Sequence, residues 1–452
     1  MKISHKLYSM PELQELNRLP IHGAEIPFHD REAALAGVWK KSKYFRSLDG
    51  QWDFRLYHRP EDVPADFAAE NFSDPEIFKL KVPSNWTLAG LWDKPIYTNI
   101  VMPFPEPFEL PEENPTGIYR RTFSVPDSWL KRRTVLHIGG AESYLEVYLN
   151  GTFVGMGKDT RLPSEFDLTP YLKKGENLLV CKVIRWSDSS FIEDQDQWWM
   201  AGIHRSVWLY NTGFSFIEDL YVNGDYDYEN GRGLLHIENK SNFYFPAWTP
   251  KGPTEPMKLH LTLYDRDGKI FWDQEKEVSP LFRDEGYCTE FDAVFDNILP
   301  WSAESPELYT LIVEFLDKEG KLLDCRRKRV GFRNIRIENR DLLFNGKRVF
   351  IRGVNRHEHN MITGKTLSLE DMLADIKMMK QYNFNAVRTS HYPNDHRWYD
   401  LCDEYGIYVM DEANAECHAL YNQLCRDPRW KNSFVARGER MVIASLPAKS
   451  AE

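Results

Sequence analysis

From Gly50 to Phe332 the chain consists of short runs rich in β-branched and aromatic residues, and after Arg333 this pattern gives way to alternating strand-like and helix-like segments. That switch constrains the fold more than any other feature. Strands with a two-residue period bury one face each, so consecutive antiparallel strands must pack sheet on sheet. The runs QWDFRLY, YRRTFSV, TVLHIGG, YLEVYLNGTFVG, NLLVCKVIRW and HRSVWLYNT predict a jelly-roll sandwich over residues 46–213, with Asn150-Gly151 as a hairpin turn between YLEVYL and TFVG. A second series runs from FIEDLYVNGDY to KLLDCRRKRVGF, with Asp-Gly and Glu-Gly turns, and predicts a seven-stranded immunoglobulin-like sandwich over 214–332. Residues 1–45 show little periodicity beyond a capping-like Ser9 and read as an arm lying on the other domains.

The segment 333–452 reads as parallel α/β. RVFIRGVN is an apolar strand; Ser368 with Asp371 caps a helix whose Met372, Ile376 and Met379 recur on one face. FNAVRTSH is the next strand, Trp398, Leu401, Cys402 and Tyr405 mark a second helix stopped by Gly406, and IYVMDEANAECH is a third strand. Polar residues gather at each strand's carboxyl end, where a (β/α) barrel keeps its active site. A closed barrel takes about 250 residues, and only about 120 follow residue 332. The expected fold is therefore multidomain and mainly β: a jelly roll, an immunoglobulin-like sandwich and an incomplete (β/α)8 TIM barrel.

Composition narrows the function. A length of 452 residues suits roughly three domains. No run of 18 apolar residues spans a bilayer, and MKISHKLYSMPELQEL lacks a secretory pattern, so a cytoplasmic location is expected, with no membrane partner. With 57 basic and 68 acidic residues and no long basic block, nucleic acid is not expected as a partner either. The 6 cysteines form no C-x-x-C pair and read as reduced thiols. Aromatics reach 14%, including 14 Trp, which suits sandwich cores and equally the C–H faces of sugars.

Four clusters could carry chemistry. Arg352–His359 follows an apolar strand, and alternation puts His357 and His359 on one face; the spacing is not H-E-x-x-H, and hydroxyl-binding imidazoles and a salt-bridged strand end are both open readings. Glu416 and His418, two apart on an extended strand end, point the same way and could share a magnesium ion or simply hydrogen-bond to each other. Arg388–His391 precedes a chain-redirecting Tyr-Pro, and Glu193–Trp199 joins an acidic loop to two indoles, a pairing suited to sugar hydroxyls and ring faces. Asn99, before a proline-rich stretch, is a sugar contact or a turn residue.

In order along the chain, VPSNW, YTNIVMPFP, IEDQDQWWMAGIHR, FNGKRVFIRGVNRHEH, NFNAVRTSHYPN and YGIYVMDEANAECH closely resemble the β-galactosidases of glycoside hydrolase family 2. The resemblance implies retaining hydrolysis of terminal β-D-galactosides such as lactose. It implies that Asn99, Asp196, His357 and His391 bind the sugar, the two histidines also favouring the transition state. It further implies that Glu416 and His418 hold magnesium and that Asp196 lies near a sodium ion. The IEDQDQWW and RHEH runs favour galactosidase over related glucuronidases and mannosidases. One departure is large: the family's acid/base is the Glu of an Asn-Glu pair, and no such dipeptide occurs in this sequence. Neither catalytic carboxylate is expected within it, so the chain alone is expected to be inactive. A complementing C-terminal chain or a homo-oligomer is then the implied protein partner, and a non-catalytic carbohydrate-binding protein is the competing reading.

Overall fold

The computed structural model describes residues 6–104, 108–244, 256–278 and 287–445. In the strand Gly50–Tyr57, Trp52, Phe54 and Leu56 point inward and are buried, while Asp53 and Arg55 point outward. Phe54 pairs with Tyr119 on the neighbouring strand Thr116–Ser124, their rings 4.7 Å apart edge to face, a favoured aromatic geometry. These strands lie in a seven-stranded antiparallel sheet that faces a four-stranded sheet containing Arg133–Ile138 and Val207–Thr212. Between them sits a core that includes Trp52, Trp86, Leu136, Val147 and Leu179. The expected hairpin forms: Asn150 and Gly151 take φ of 50° and 80° between Tyr144–Leu149 and Thr152–Gly157, the left-handed pair that a type I′ turn requires.

The second sandwich has the seven expected strands, three in one sheet (Ser215–Asp227, Arg232–Phe243, Tyr287–Asp296) and four in the other. Its core runs from Ile217 to Phe332 and includes Leu259, Leu261, Phe291 and Val313. A small meander of Ile335–Glu338, Asp341–Phe344 and Lys347–Arg348 then leads into a parallel sheet of Gly353–Asn355, Ala386–Arg388 and Tyr408–Met410. Helices Leu369–Gln381 and His396–Tyr405 connect these strands. Ser368 and Asp371 form the reciprocal capping box, and Met372, Ile376 and Met379 are buried. Gly406 ends the second helix at φ 70°, a conformation glycine adopts without steric cost.

The structure corrects three local expectations. RVFIRGVN is strand only at Arg348, which closes the meander, and at Gly353–Asn355, and IYVMDEANAECH only at Tyr408–Met410, after which the polar residues leave the sheet to bond with the jelly roll. Ser9 ends a short 3-10 helix rather than starting one. Among the described residues no helix is long and apolar enough to cross a membrane.

The arm touches all three domains. Its Glu15–Leu16 extends the seven-stranded sheet, Lys328 of the second sandwich meets Glu25 at 2.5 Å, and Arg437 of the helix Lys431–Ser445 donates to Gln14 at 3.1 Å. His22 lies 2.9 Å from Glu165, whose other oxygen accepts from His137 at 2.7 Å. Burial opposes a charge on His22, but the Glu165 carboxylate outweighs it and raises the imidazole to about 9. A group raised in the folded state stabilises fully below its unfolded value, near 6.5, and loses that contribution as pH rises through the folded value. The stability gap between the wild type and His22→Gln in urea unfolding is therefore expected to be largest near pH 6, on the order of 3 kcal/mol, and to shrink between pH 8 and 10. A gap that widens with pH would contradict this pairing.

Candidate active site

After the strand Glu176–Ile184 the jelly roll turns through a buried helical turn, Ser189–Ile192, into the acidic loop 193–199. The barrel loop 411–419 is laid along it. The N–H groups of Glu416 and His418 donate to the carbonyls of Ile192 and Asp194, each at 3.0 Å, and the Ala419 N–H donates to the Asp194 carboxylate at 2.6 Å. Gln195 donates to Asn414 at 2.8 Å, and Asn414 donates to Asp159 at 3.1 Å. Glu416 and His418 do converge, with Oε1 and Nδ1 3.8 Å apart. The reason is not an extended strand: Cys417 between them has φ 58°, and the jelly-roll loop holds the turn.

Burial pushes the Glu416 carboxyl up, against the pull of His391 and His418. Burial also lifts Asp194 to about 6, opposed by the Ala419 N–H and by His418. Glu416 Oε2, His418 Nδ1 and Asp194 Oδ1 are buried without a hydrogen-bond partner, a state that costs free energy until something fills it. Among the described residues no three His, Cys, Asp or Glu side chains form a ready metal cluster. The Glu416/His418 pair fits a magnesium ion as two donors, with the remaining positions left to water or other groups.

Beside this pair stand the histidines. His357 and His391 pack edge to face with centroids 5.6 Å apart. His357 Nδ1 is 3.3 Å from the Tyr392 hydroxyl, and His391 Nδ1 is 2.8 Å from Glu412 Oε2. Arg388 bonds to the same Glu412 carboxylate and reaches His391 Nδ1 at 3.1 Å. Burial lowers His357 to about 4, helped by His391 and Arg161 and opposed by the charge of Asp196, so this ring is neutral at physiological pH. His357 and His359 alternate with Arg356 and Glu358, which are buried. From the jelly roll, Asp196 accepts from the Tyr97 hydroxyl at 2.8 Å, and the exposed Trp198 ring lies 5.6 Å from Tyr97. Asn99 takes φ 54° within the turn closed by Val101 N–H to Thr98 at 3.1 Å, a conformation asparagine tolerates. A single carboxylate with one oxygen tied to Tyr97 leaves Asp196 a second oxygen for a monovalent cation.

Sequence reasoning passed over Glu412, Tyr392 and Asp194, although each lies inside a polar run that it had marked. It also passed over the cations behind the loops. Arg205 pairs with Glu358 at 2.5 Å and Lys365 with Glu142 at 2.8 Å. The Arg161 guanidinium lies 3.7 Å from the Tyr392 ring centroid. Buried Arg and Lys spaced far apart along a chain carry no local signal of their partners.

The fold defines an architecture, a jelly roll docked on the strand ends of a barrel-type parallel sheet, with an immunoglobulin-like sandwich between them in sequence. Residues 45–213 match the sugar binding domain of glycosyl hydrolases family 2, 215–333 match a second domain of that family, and 335–445 match its TIM barrel domain. The chain belongs to glycosyl hydrolases family 2. It is 41% identical over 445 residues to a β-galactosidase of Alteromonas mediterranea, covering 96% of this chain and 41% of that protein. It is 39% identical over 449 residues to one of Photobacterium profundum, covering 98% and 42%. The chain thus spans about two fifths of the length of these relatives. Among solved structures, a Bacteroides uniformis β-glucuronidase superimposes with TM-score 0.73 at 22% identity over 88% of this chain and 45% of that one. A Bifidobacterium dentium β-glucuronidase gives TM-score 0.73 at 22% identity over 88% and 65%. These likenesses concern the fold.

Removing one member of a buried ion pair strands the other charge, at a cost of about 3–5 kcal/mol. Arg205→Met leaves Glu358 buried and uncompensated, and urea unfolding followed by tryptophan fluorescence is expected to show a loss of that size. A change below about 1 kcal/mol would mean that the pair is solvated.

Proposed function

We propose that this chain forms the galactose-holding part of a β-galactosidase-type site, one that serves retaining hydrolysis of terminal β-D-galactosides such as lactose. The observation that carries the reading is the joint site, in which the barrel loop with Glu416 and His418 meets the jelly-roll loop with Asp196 through direct hydrogen bonds, with His391 and His357 packed beside it. The β-galactosidases named above supply the substrate class.

In this reading Asp196 accepts from a sugar hydroxyl, Asn99 offers its side-chain amide from the turn, and His357 and His391 hydrogen-bond to other hydroxyls as charge develops at the anomeric carbon. Glu416 and His418 would hold magnesium, with Asp196 contributing an oxygen to sodium. Magnesium, when bound, supplies positive charge that stabilises developing negative charge nearby. The retaining reaction also needs an acid/base and a nucleophile about 5 Å apart. We assign both to polypeptide outside these 452 residues, which a complementing chain would bring.

The second reading is a carbohydrate-binding protein without turnover, favoured by the absence of an Asn-Glu dipeptide. Two measurements test the pair of readings. The chain alone is expected to hydrolyse no aryl β-galactoside above background, and turnover at an ordinary enzyme rate would overturn the placement of the carboxylates. In calorimetric titrations it is expected to bind magnesium more weakly than micromolar, because the site has one carboxylate and one imidazole. Glu416→Gln is expected to abolish what binding there is; binding unchanged in that variant would refute the metal assignment.

A further inference from the structure

We propose that His357 and His391 are locked in opposite tautomers by Tyr392 and Glu412, and so present a matched hydrogen-bond donor and acceptor to neighbouring sugar hydroxyls. The proposal rests on the functional reading above and deepens it by naming Tyr392 and Glu412 as positioning residues.

His391 Nδ1 faces two groups, the Glu412 carboxylate at 2.8 Å and the Arg388 guanidinium at 3.1 Å. A carboxylate only accepts and a guanidinium only donates. If Nδ1 were bare, its lone pair would oppose that of the nearer Glu412 oxygen; a proton on Nδ1 converts this closest contact into a charge-assisted hydrogen bond. A proton on Nδ1 gives up the longer Arg388 Nη2 contact, while Arg388 keeps its bond from Nε to Glu412. The proton therefore sits on Nδ1, and in the neutral ring Nε2 is a bare acceptor.

His357 has the opposite neighbour. Its Nδ1 lies 3.3 Å from the hydroxyl of Tyr392, a buried tyrosine that burial keeps protonated. The Glu358 N–H donates to this hydroxyl, which must still place its own proton, and the His357 ring nitrogen is the acceptor described for it. His357 Nδ1 thus accepts, and in the neutral ring Nε2 carries the hydrogen and donates. Neither Nε2 has a protein partner among the described residues, which leaves both for a ligand.

The consequence is a chemical filter. A sugar hydroxyl both donates and accepts, so two neighbouring hydroxyls satisfy a donor and an acceptor at once. A group with lone pairs alone, such as a carboxylate, could meet His357 but would be repelled by His391. A site with hydrogen-bond partners aimed at hydroxyls rejects analogues that leave them unpaired.

The test is nuclear magnetic resonance on the full chain labelled with nitrogen-15 histidine, recorded at pH 8.5, about two units above the unperturbed imidazole value. Each signal is assigned by its disappearance in His357→Gln or His391→Gln. The expected result is an Nε2–H tautomer for His357 and an Nδ1–H tautomer for His391. Glu412→Gln, whose amide can donate to the ring, is expected to move His391 towards the Nε2–H form without moving His357, and Tyr392→Phe to release His357 into a mixture. Matching tautomers in the wild type would overturn the proposal even if a variant fails to fold, and a His391 tautomer indifferent to Glu412→Gln would overturn the role of Glu412. The spectra need no sugar, so failure here is distinguishable from failure of galactoside binding, which calorimetry with methyl β-galactoside measures separately.

Discussion

Everything at the pocket depends on a buried polar seam between the jelly roll and the start of the barrel. Charges removed from water are tolerated only where a partner waits at hydrogen-bond distance. Here Arg205 meets Glu358, Lys365 meets Glu142 at 2.8 Å, and Arg437 meets Glu193 at 2.5 Å, each pair joining the two domains. The burial is deep enough to lower Lys365 to about 8 despite its carboxylate. An apolar interface could slide by a few ångströms at small cost, whereas this one cannot without stranding several charges at once. The relative placement of the two domains is fixed for that reason.

The seam also explains why the barrel strands are so short. Arg356 and Glu358 turn inward directly after Gly353–Asn355, where Glu358 takes the Arg205 guanidinium and accepts the Asp395 N–H at 2.8 Å. His357, one residue off, is left beside His391 and Tyr392 at the candidate site. A residue of sequence separates a structural ion pair from a candidate sugar contact, and the loop geometry carries both. The same division recurs at 411–419. There Asn414 ties down the loop through Gln195 and Asp159, leaving Glu412 and Glu416 to face His391 and His418.

Much of this was legible in the sequence. The two-residue period from Gly50, the Asn150-Gly151 turn and the Ser368–Asp371 box each act through contacts within a few residues, and each forms as the local chemistry dictates. The polar strand ends were visible as clusters, including His357, His391, Glu416 and His418. What could not be read was their cause. The extended backbone expected around Glu416 is replaced by a turn at Cys417 because the jelly roll, more than 200 residues away, competes for its N–H groups. Pairings such as Arg205 with Glu358, 153 residues apart, exist only in three dimensions.

The seam bears on how well three short barrel strands can position the residues that follow them. In a closed barrel each strand end is positioned by neighbours on both sides. Gly353–Asn355 and Tyr408–Met410 each pair with one strand, Ala386–Arg388, and Phe350, Ile351 and Met410 are 68%, 53% and 63% exposed. On strand pairing alone, the residues beyond them would be poorly held. Yet the loop carrying Glu416 and His418 is anchored on Ile192 and Asp194, and the His357 segment is anchored through Glu358 on Arg205, all jelly-roll residues. The sandwich therefore holds these strand ends from the side. The half of the candidate site that these strand ends contribute is thereby positioned by domain docking as well as by strand pairing, so that the placement of His357, Glu416 and His418 is set by the same contacts that join the two domains.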